Sequence, residues 1–497
     1  MLHFSRKSAT SPLRDKKTLE KGINFLTIAV YSMCPYLSSL KEENMSMFTD
    51  LYELTMCASY FDNKRFQPAT FDLFVRRLPE NRGYLLFAGL EQILQFLETV
   101  RFTEKHLPYL KQRGFSGKFL DYLSSFKFTG DVWAMPEGTV AFPCEPIVRV
   151  TAPIIEAQLI ETFLLNTINL QTMIATKASR VVHAASGRSV VEFGLRRVHG
   201  IDAGMKVARC SYIAGCQGTS NVLAGFEYGI PVFGTMAHSF IMSFEKEIDA
   251  FRAFAQTFPD KSTLLIDTYN DLAGAEKAAL IAKELETKGC KLGGVRLDSG
   301  DMAETSKKVR ALLDSKGLGY VKIFASGDLD EYRVAELIAK GARIDSFGVG
   351  TRMGTSADKP YIDVIYKLSE TQNAKGKFSP IMKLSEGKNT LPGRKQVFRF
   401  RDKQGNYKKD LIALDEEKVN AEPLLVRVME KGTTVHNLPT LKEIRLRASE
   451  NLSSLPAKHK QLTSPPEYTV ELSKALEDLI RILKRRIAKT EFETSKS

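Results

Sequence analysis

An α/β fold, an irregular parallel β/α barrel (TIM-like) joined to a β-rich α/β sandwich domain built from both flanks, is predicted by three observations. Short apolar runs recur through the middle of the chain, helix-like intervals separate them, and polar or glycine-rich groups follow nearly every run. The runs are Ser189–Phe193, Pro231–Phe233, Thr263–Ile266, Gly294–Leu297, Val321–Phe324 and Ser346–Val349, spaced about 25–40 residues apart. Intervals such as Ala273–Lys288 and Asp330–Ala339 carry helical periodicity, and such alternation builds a parallel sheet.

The groups that follow the runs are Glu192-Phe193-Gly194, Thr235-Met236-Ala237-His238, Asp267-Thr268-Tyr269, Asp298-Ser299-Gly300-Asp301, Ser326-Gly327-Asp328 and Gly348-Val349-Gly350-Thr351. In a β/α barrel the strand C-termini converge on one face, and that face carries the chemistry. An open doubly wound sheet also binds ligands at its strand C-termini.

The flanks read differently. Between Met45 and Val150 a helix is expected over Ala88–Val100 and strands over Thr70–Val75, Gly130–Trp133 and Ile147–Val150, with Pro136, Pro143 and Pro146 marking turns. Strands recur at Tyr361–Leu368, Met382–Leu384 and Gln396–Arg401. Each flank alone is too short for a sound core. The expected organisation is a poorly patterned extension over 1–44, a sandwich domain from 45–150 with 361–450, a catalytic barrel over 151–360, and a helical C-terminal segment over 451–497. In that last segment Val470–Ile487 forms an amphipathic helix with Leu472, Leu476, Leu479, Ile480 and Leu483 on one side.

A chain of 497 residues exceeds one ordinary core. Its longest apolar stretch, Ile23–Leu40, is broken by Asn24, Ser32 and Pro35, so no membrane span is expected. The six cysteines are scattered without ligand spacing and fit reduced, mostly buried thiols of a cytoplasmic protein. The net charge of +13 comes without aromatic-interleaved basic blocks, which argues against nucleic acid and suits polyanionic substrates.

His238 lies just past an apolar run, where an imidazole is accessible and can serve as acid, base or nucleophile. Asp267, Asp298, Asp301 and Asp328 would crowd one face and need Mg²⁺, ribose hydroxyls or arginines as partners. Arg196 and Arg296 supply fixed cationic forks for carboxylate or phosphate. Gly350-Thr351 offers backbone N–H groups to one phosphate, whereas neither a P-loop nor a Gly-x-Gly-x-x-Gly fingerprint is present. Together these residues point to chemistry on a phosphorylated sugar.

Thr49-Asp50-Leu51-Tyr52-Glu53-Leu54, Arg82-Gly83-Tyr84, Glu192-Phe193-Gly194-x-Arg196-Arg197, Gly234-Thr235-x-Ala237-His238-Ser239, Val295-Arg296-Leu297-Asp298-Ser299-Gly300-Asp301 and Lys383-Leu384-Ser385-Glu386-Gly387-Lys388 form an ordered set. From about Met47 to the C-terminal helix, this set resembles the nicotinate phosphoribosyltransferases. The resemblance implies transfer of phosphoribosyl from phosphoribosyl pyrophosphate to nicotinate, coupled to ATP hydrolysis, with Mg²⁺ entering alongside ATP and the donor. No tightly bound organic cofactor is expected.

The resemblance also assigns roles. His238 would be transiently phosphorylated, with Asp267 and Asp298 as further catalytic groups and either one holding the imidazole's other nitrogen. Phe193 would stack on the pyridine ring, opposed by Tyr52 from the partner subunit of a homodimer with shared sites. Arg296, Thr235, Arg196 and Ser220 would meet the nicotinate side of the substrate. Asp298 and Gly327-Asp328 would bind ribose hydroxyls, and Gly350-Thr351 the 5′-phosphate. Arg76 and Lys388 would reach pyrophosphate across the dimer, with Arg77 and Lys395 as substitutes.

The alternative within the same superfamily is a nicotinamide phosphoribosyltransferase. Its amide needs an acceptor carboxylate, and Gly218-Thr219-Ser220-Asn221 carries serine where the nicotinamide-specific relatives resemble Gly-Thr-Asp. A type I phosphoribosyltransferase needs two adjacent acidic residues after a strand; Leu264-Leu265-Ile266-Asp267-Thr268 has one.

Overall fold

The computed structural model describes residues 41–385, 390–435 and 437–492. Most of the N-terminal extension, with Ile23–Leu40 and Cys34, lies outside them, as does Lys388. The chain divides into a small helical unit, 41–48 with 99–127, and a large unit that holds the remainder. In the small unit, helices His106–Gln112 and Gly117–Ser124 follow a short 3₁₀ turn, Glu42–Met47. His106 fastens that turn through Asn44 Oδ1 at 3.2 Å, and Phe102 packs edge-on against Phe126.

The large unit is mixed α/β. Six strands form a parallel sheet in the order Gly218–Thr219, Ser189–Glu192, Ser346–Val349, Lys322–Ala325, Gly294–Leu297, Thr263–Leu265. Neighbours in space are neighbours in sequence, except where Ser346–Val349 returns to pair with Ser189–Glu192. Val232 adds one parallel bridge to Thr219 at the outer edge. Helices Asp271–Glu286, Met302–Ser315 and Glu331–Ala339 connect successive strands. Asn270, Asp301 and Asp330 start these helices by accepting backbone N–H groups of the first turn.

Strands from both flanks pair in a seven-stranded antiparallel sheet. Pro68–Val75 lies between Val364–Gln372 and Val148–Pro153, while Asp131–Ala134 lies between Val148–Pro153 and Val426–Glu430. A four-stranded sheet joins Glu422–Pro423, Lys395–Arg401, Tyr407–Leu414 and Val470–Leu472.

Glu161–Ala184, a helix of 24 residues that the periodicity did not single out, is buried over most of its surface. A helix covered on all sides carries no single apolar stripe. Its Lys177 and Arg180 are held by Glu331 at 2.6 and 3.0 Å, and Lys177 also by Asp358 at 2.7 Å. Removing one member of a buried network of this kind costs about 3–5 kcal/mol.

Several expected elements differ. The strand over Pro231–Phe233 shrinks to the single bridge at Val232, because Pro231 has no N–H and Gly229 turns the chain in the left-handed region just before it. Gly218–Thr219, only two residues long, pairs although no apolar run marks it. Met382–Leu384 forms no strand; the pairing falls on Phe378–Pro380. The C-terminal helix starts at Lys474, capped by Ser473, so Leu472 belongs to a strand instead. Among the described cysteines all five are free, with Cys57, Cys210 and Cys216 buried, Cys290 half-buried and Cys144 exposed. No helix among the described residues is long and apolar enough to cross a membrane.

One buried cluster in the flanks carries a pH signature. Arg399 grips Asp410 with Nε at 3.0 Å and a terminal nitrogen at 2.6 Å, over the face of Tyr407. A single guanidinium neutralises a single carboxylate, and fully buried Glu145 stands beside the pair. Burial, and then the Asp410 charge, push the Glu145 carboxyl well above its ordinary value, so the folded protein keeps that proton. The unfolded chain releases it near 4.5, the ordinary value. Stability is therefore lost as pH rises above that point, by about 1.4 kcal/mol per pH unit while the two states differ by one proton. Glu145→Gln, neutral at every pH, should remove this component. Calorimetric melting of both proteins from about pH 5 to about pH 9 measures it, and parallel curves would refute the assignment.

Candidate active site

The C-terminal ends of the parallel strands are tied together by side chains, and Arg296 is the centre of the weave. It leaves Gly294–Leu297 and donates from Nε to Ser326 Oγ at 2.7 Å, from one terminal nitrogen to Thr235 Oγ1 at 3.0 Å and the Met236 carbonyl at 3.2 Å, and from the other to Asp298 Oδ1 at 2.6 Å. A guanidinium has five N–H donors, so these four bonds leave one for a ligand. The same group lies 5.8 Å from the centre of the Phe193 ring.

Asp298 also accepts from Ser326 Oγ at 2.5 Å. Burial works to raise its carboxyl, but Ser326, Arg296 and the neighbouring His238 outweigh that and hold it below the ordinary carboxylate range. Asp267 stands next to it. One Asp267 oxygen accepts from the Asp298 N–H at 2.8 Å and from Ser299 Oγ at 2.7 Å, while Oδ1 is buried without a hydrogen-bond partner.

His238 opens the short helix His238–Met242 and is half-buried. Its Nδ1 lies 3.1 Å from Thr268 Oγ1. The imidazole's hydrogen-bond partner at Nδ1 is therefore a hydroxyl and not Asp267 or Asp298. Thr268 follows Asp267 directly, so its place at a strand end was visible, but a threonine at a turn gives no signal of this role.

Phe193 follows Ser189–Glu192, with its N–H on the Val349 carbonyl at 2.9 Å and its ring 5.4 Å from that of Phe324. Gly348 and Gly350 are required beside it. A Cβ on Gly348 would meet the Phe193 ring at 2.8 Å, and one on Gly350 would stand 2.7 Å from the Phe193 carbonyl oxygen. Buried Glu192, which precedes Phe193, accepts from Thr219 Oγ1 at 2.5 Å and from the Gly194 N–H. Burial raises its carboxyl, with those two donors opposing. Ser220 follows, its N–H on the Glu192 carbonyl at 2.8 Å.

Gly327 has φ +94, and a Cβ there would collide with the carbonyl oxygen of Asp298, so glycine is needed for the two loops to touch. Asp328 is exposed and bound in bidentate fashion by Arg352, both distances 2.7 Å, which lowers its carboxyl. Arg352 comes directly after Gly350-Thr351 and was missed, although its position beside a candidate phosphate turn was the available signal.

The remaining candidates form no bond within this weave. Arg196 is exposed in the turn Leu195–Arg197. Arg76 directly follows Pro68–Val75, beside Cys144, and Tyr52, half-exposed on helix Leu51–Asp62, has its hydroxyl pushed up by burial and then by Glu161. Lys395 is buried and bound to Asp72 at 2.7 Å, which removes it as a substitute for Lys388. Asp301 is taken up by capping helix Met302–Ser315.

Comparison with known proteins decides the family. Residues 47–169 match the nicotinate phosphoribosyltransferase N-terminal domain, 188–397 the nicotinate phosphoribosyltransferase family proper, and 418–480 its C-terminal domain. A nicotinate phosphoribosyltransferase of Mycobacterium tuberculosis is 48% identical over 426 residues, 85% of this chain and 90% of the relative. The chain belongs to the nicotinate phosphoribosyltransferase family.

Its enzymatic class, phosphoribosyl transfer, follows from that membership. A family member from Bacillus subtilis is 40% identical over 462 residues, covering 87% of this chain and 94% of that one. The crystal structure of human nicotinic acid phosphoribosyltransferase superposes with a TM-score of 0.78 at 30% identity, covering 88% of this chain and 99% of that one. A nicotinate-nucleotide pyrophosphorylase from Pyrococcus furiosus gives 0.68 at 28% identity, over 83% and 96%.

Gly327→Ala should force the Asp298 loop away from Arg296. Because alanine is also strained at this φ, the loss of stability should exceed about 1 kcal/mol. Thermal melting reads that loss, and steady-state rates should fall with it; a variant with unchanged melting and turnover would show that the loops do not need this approach.

Proposed function

We propose that this enzyme transfers phosphoribosyl from phosphoribosyl pyrophosphate to nicotinate, giving nicotinate mononucleotide and pyrophosphate, with hydrolysis of ATP to ADP and phosphate through a phosphohistidine at His238. The observation that carries the reading is His238 at the rim of the Arg296–Asp298 weave, with Nδ1 on a hydroxyl. In the tautomer that donates Nδ1–H to Thr268, the Nε2 lone pair is free for attack. It takes the γ-phosphoryl group of ATP, ADP leaves, and the P–N bond later yields phosphate to water.

Bond breakage at the ribose leaves positive charge on the sugar and negative charge on the departing pyrophosphate. Asp298, kept ionised by its donors, supplies the negative partner near the ribose; Asp328 would bind ribose hydroxyls, with Gly327 letting that turn approach. Gly350-Thr351 takes the 5′-phosphate. Phe193 gives one face of the ring clamp, and the partner subunit's Tyr52 the other, in a homodimer with shared sites. Arg296 offers its remaining N–H, with Thr235, to the nicotinate carboxylate, while Ser220 and Arg196 flank the ring. Arg76 and Lys388 would serve the pyrophosphate.

Mg²⁺ arrives with ATP and the donor, where it offsets phosphate charge. The partnerless Oδ1 of Asp267 fits a role as acceptor toward a bound water or ion. We read the parallel sheet as an incompletely closed barrel over 151–360, flanked by a sandwich from 45–150 with 361–450 and followed by the segment 451–497. Free thiols support a reducing compartment such as the cytoplasm.

His238→Ala should abolish nicotinate-dependent ATP hydrolysis and the gain in donor affinity while leaving slow, ATP-independent transfer. Labelled ATP with nicotinate and phosphoribosyl pyrophosphate, followed by product identification, tests both. Undiminished coupling in the variant would refute the phosphohistidine. Faster turnover of nicotinamide than of nicotinate at saturating donor would refute the substrate assignment.

A further inference from the structure

A cleft opens at the N-terminal end of two of the parallel strands. It measures about 400 Å³ and is bounded by residues just ahead of Ser189–Glu192 and Gly218–Thr219, by helix Leu441–Ser454 and by the turn Ala457–Lys460. His183 and Gln217 line it, whereas Phe193 and Ser220 leave the opposite, C-terminal ends of the same strands. It is therefore separate from the candidate active site.

Its charge is one-sided. His183, Arg445 and Lys460 line the cleft, and no aspartate or glutamate does. Lys460 Nζ donates to the Leu452 carbonyl at 2.8 Å, a neutral acceptor, which leaves two donors of the ammonium group. Arg445 likewise spends its donors on the carbonyls of Tyr212, Gly215 and Cys216, all neutral. Among the described residues His183, Arg445 and Lys460 have no carboxylate partner.

Burial lowers Lys460 below its ordinary value, and burial followed by the charges of Lys460 and Arg180 lowers His183. An arriving anion favours the protonated form that the cleft by itself disfavours, and an imidazole N–H can donate to it in either state. Ser449 and Ser453 add hydroxyl donors, while Val182, Ile213 and Leu452 provide an apolar wall. A cleft of this volume, with polar and basic groups facing an apolar wall, suits a small molecule that has a charged end and an organic end.

We propose that this cleft binds a phosphate-bearing small molecule, with Lys460 and His183 on the phosphate and the Val182–Ile213–Leu452 wall against its organic part. The site does not depend on the catalytic reading above. Calorimetric titration of the full chain with inorganic phosphate and, separately, with AMP tests it, alongside Lys460→Met and, should that variant melt early, Ser449→Leu. Any binding at the catalytic face is common to all proteins and cancels.

The wild type should bind one equivalent more than the variants, or bind that equivalent at least about tenfold more tightly. AMP binding more tightly than phosphate identifies a phosphate ester as the ligand class; equal affinities assign the site to the free ion. Identical stoichiometry and affinity in the wild type and in a variant of unchanged melting temperature would overturn the proposal.

Discussion

One guanidinium holds the candidate active site together. Arg296 bonds to groups on three different loops, and the carboxylate it fixes, Asp298, is bonded in turn to Ser326 and backed by Asp267. Each of these groups is polar and at least partly withdrawn from water, so each needs its neighbour. Arg296 is therefore a structural tie. It sets the spacing of the loops on which Thr235, Asp298 and Ser326 stand, and lysine, lacking the planar fork, cannot do the same.

Beneath the site the chain relies on buried charge as well as apolar packing. Lys177 and Arg180 bind the first turn of the helix Glu331–Ala339, which follows directly on the Asp328–Asp330 turn. In the flanks, Arg399 and Asp410 play the corresponding part between strands. Such pairs add little net stability over apolar residues of the same volume, but they tolerate only one arrangement of the partners. Helix Glu161–Ala184 is thus fastened in register against the segments that carry candidate ligand groups.

The strands of the parallel sheet were legible because β-branched runs of four or five residues stand between helical intervals: Gly294–Leu297 and Ser346–Val349 fall where the pattern puts them. Gly218–Thr219 was not, since two residues flanked by polar neighbours leave no periodic trace. Glu161–Ala184 was hidden for a different reason, burial on every side. At the site, residue types that chemistry favours, His238, Asp298 and Arg296, could be picked out as strand-end groups. Thr268 and Ser326 could not be given their roles, because a hydroxyl at a turn acquires a partner only through contacts distant in sequence, whereas Arg352 could have been suspected from its place beside Gly350-Thr351. Lys395 shows the reverse: a basic residue in a promising segment that folding commits to Asp72.

The parallel sheet has a seam. Val232 meets Thr219 through one bridge, supported by two backbone bonds, and among the described residues no pairing joins Val232 to Thr263 on its other side. The segment that follows, carrying the imidazole, thus hangs from the weakest stitch of an otherwise continuous hydrogen-bonded surface. Swinging it outward sacrifices two backbone bonds instead of a full ladder, so side chains carry much of the load: the Arg296 bonds to Thr235 and Met236 and the contact of His238 with Thr268.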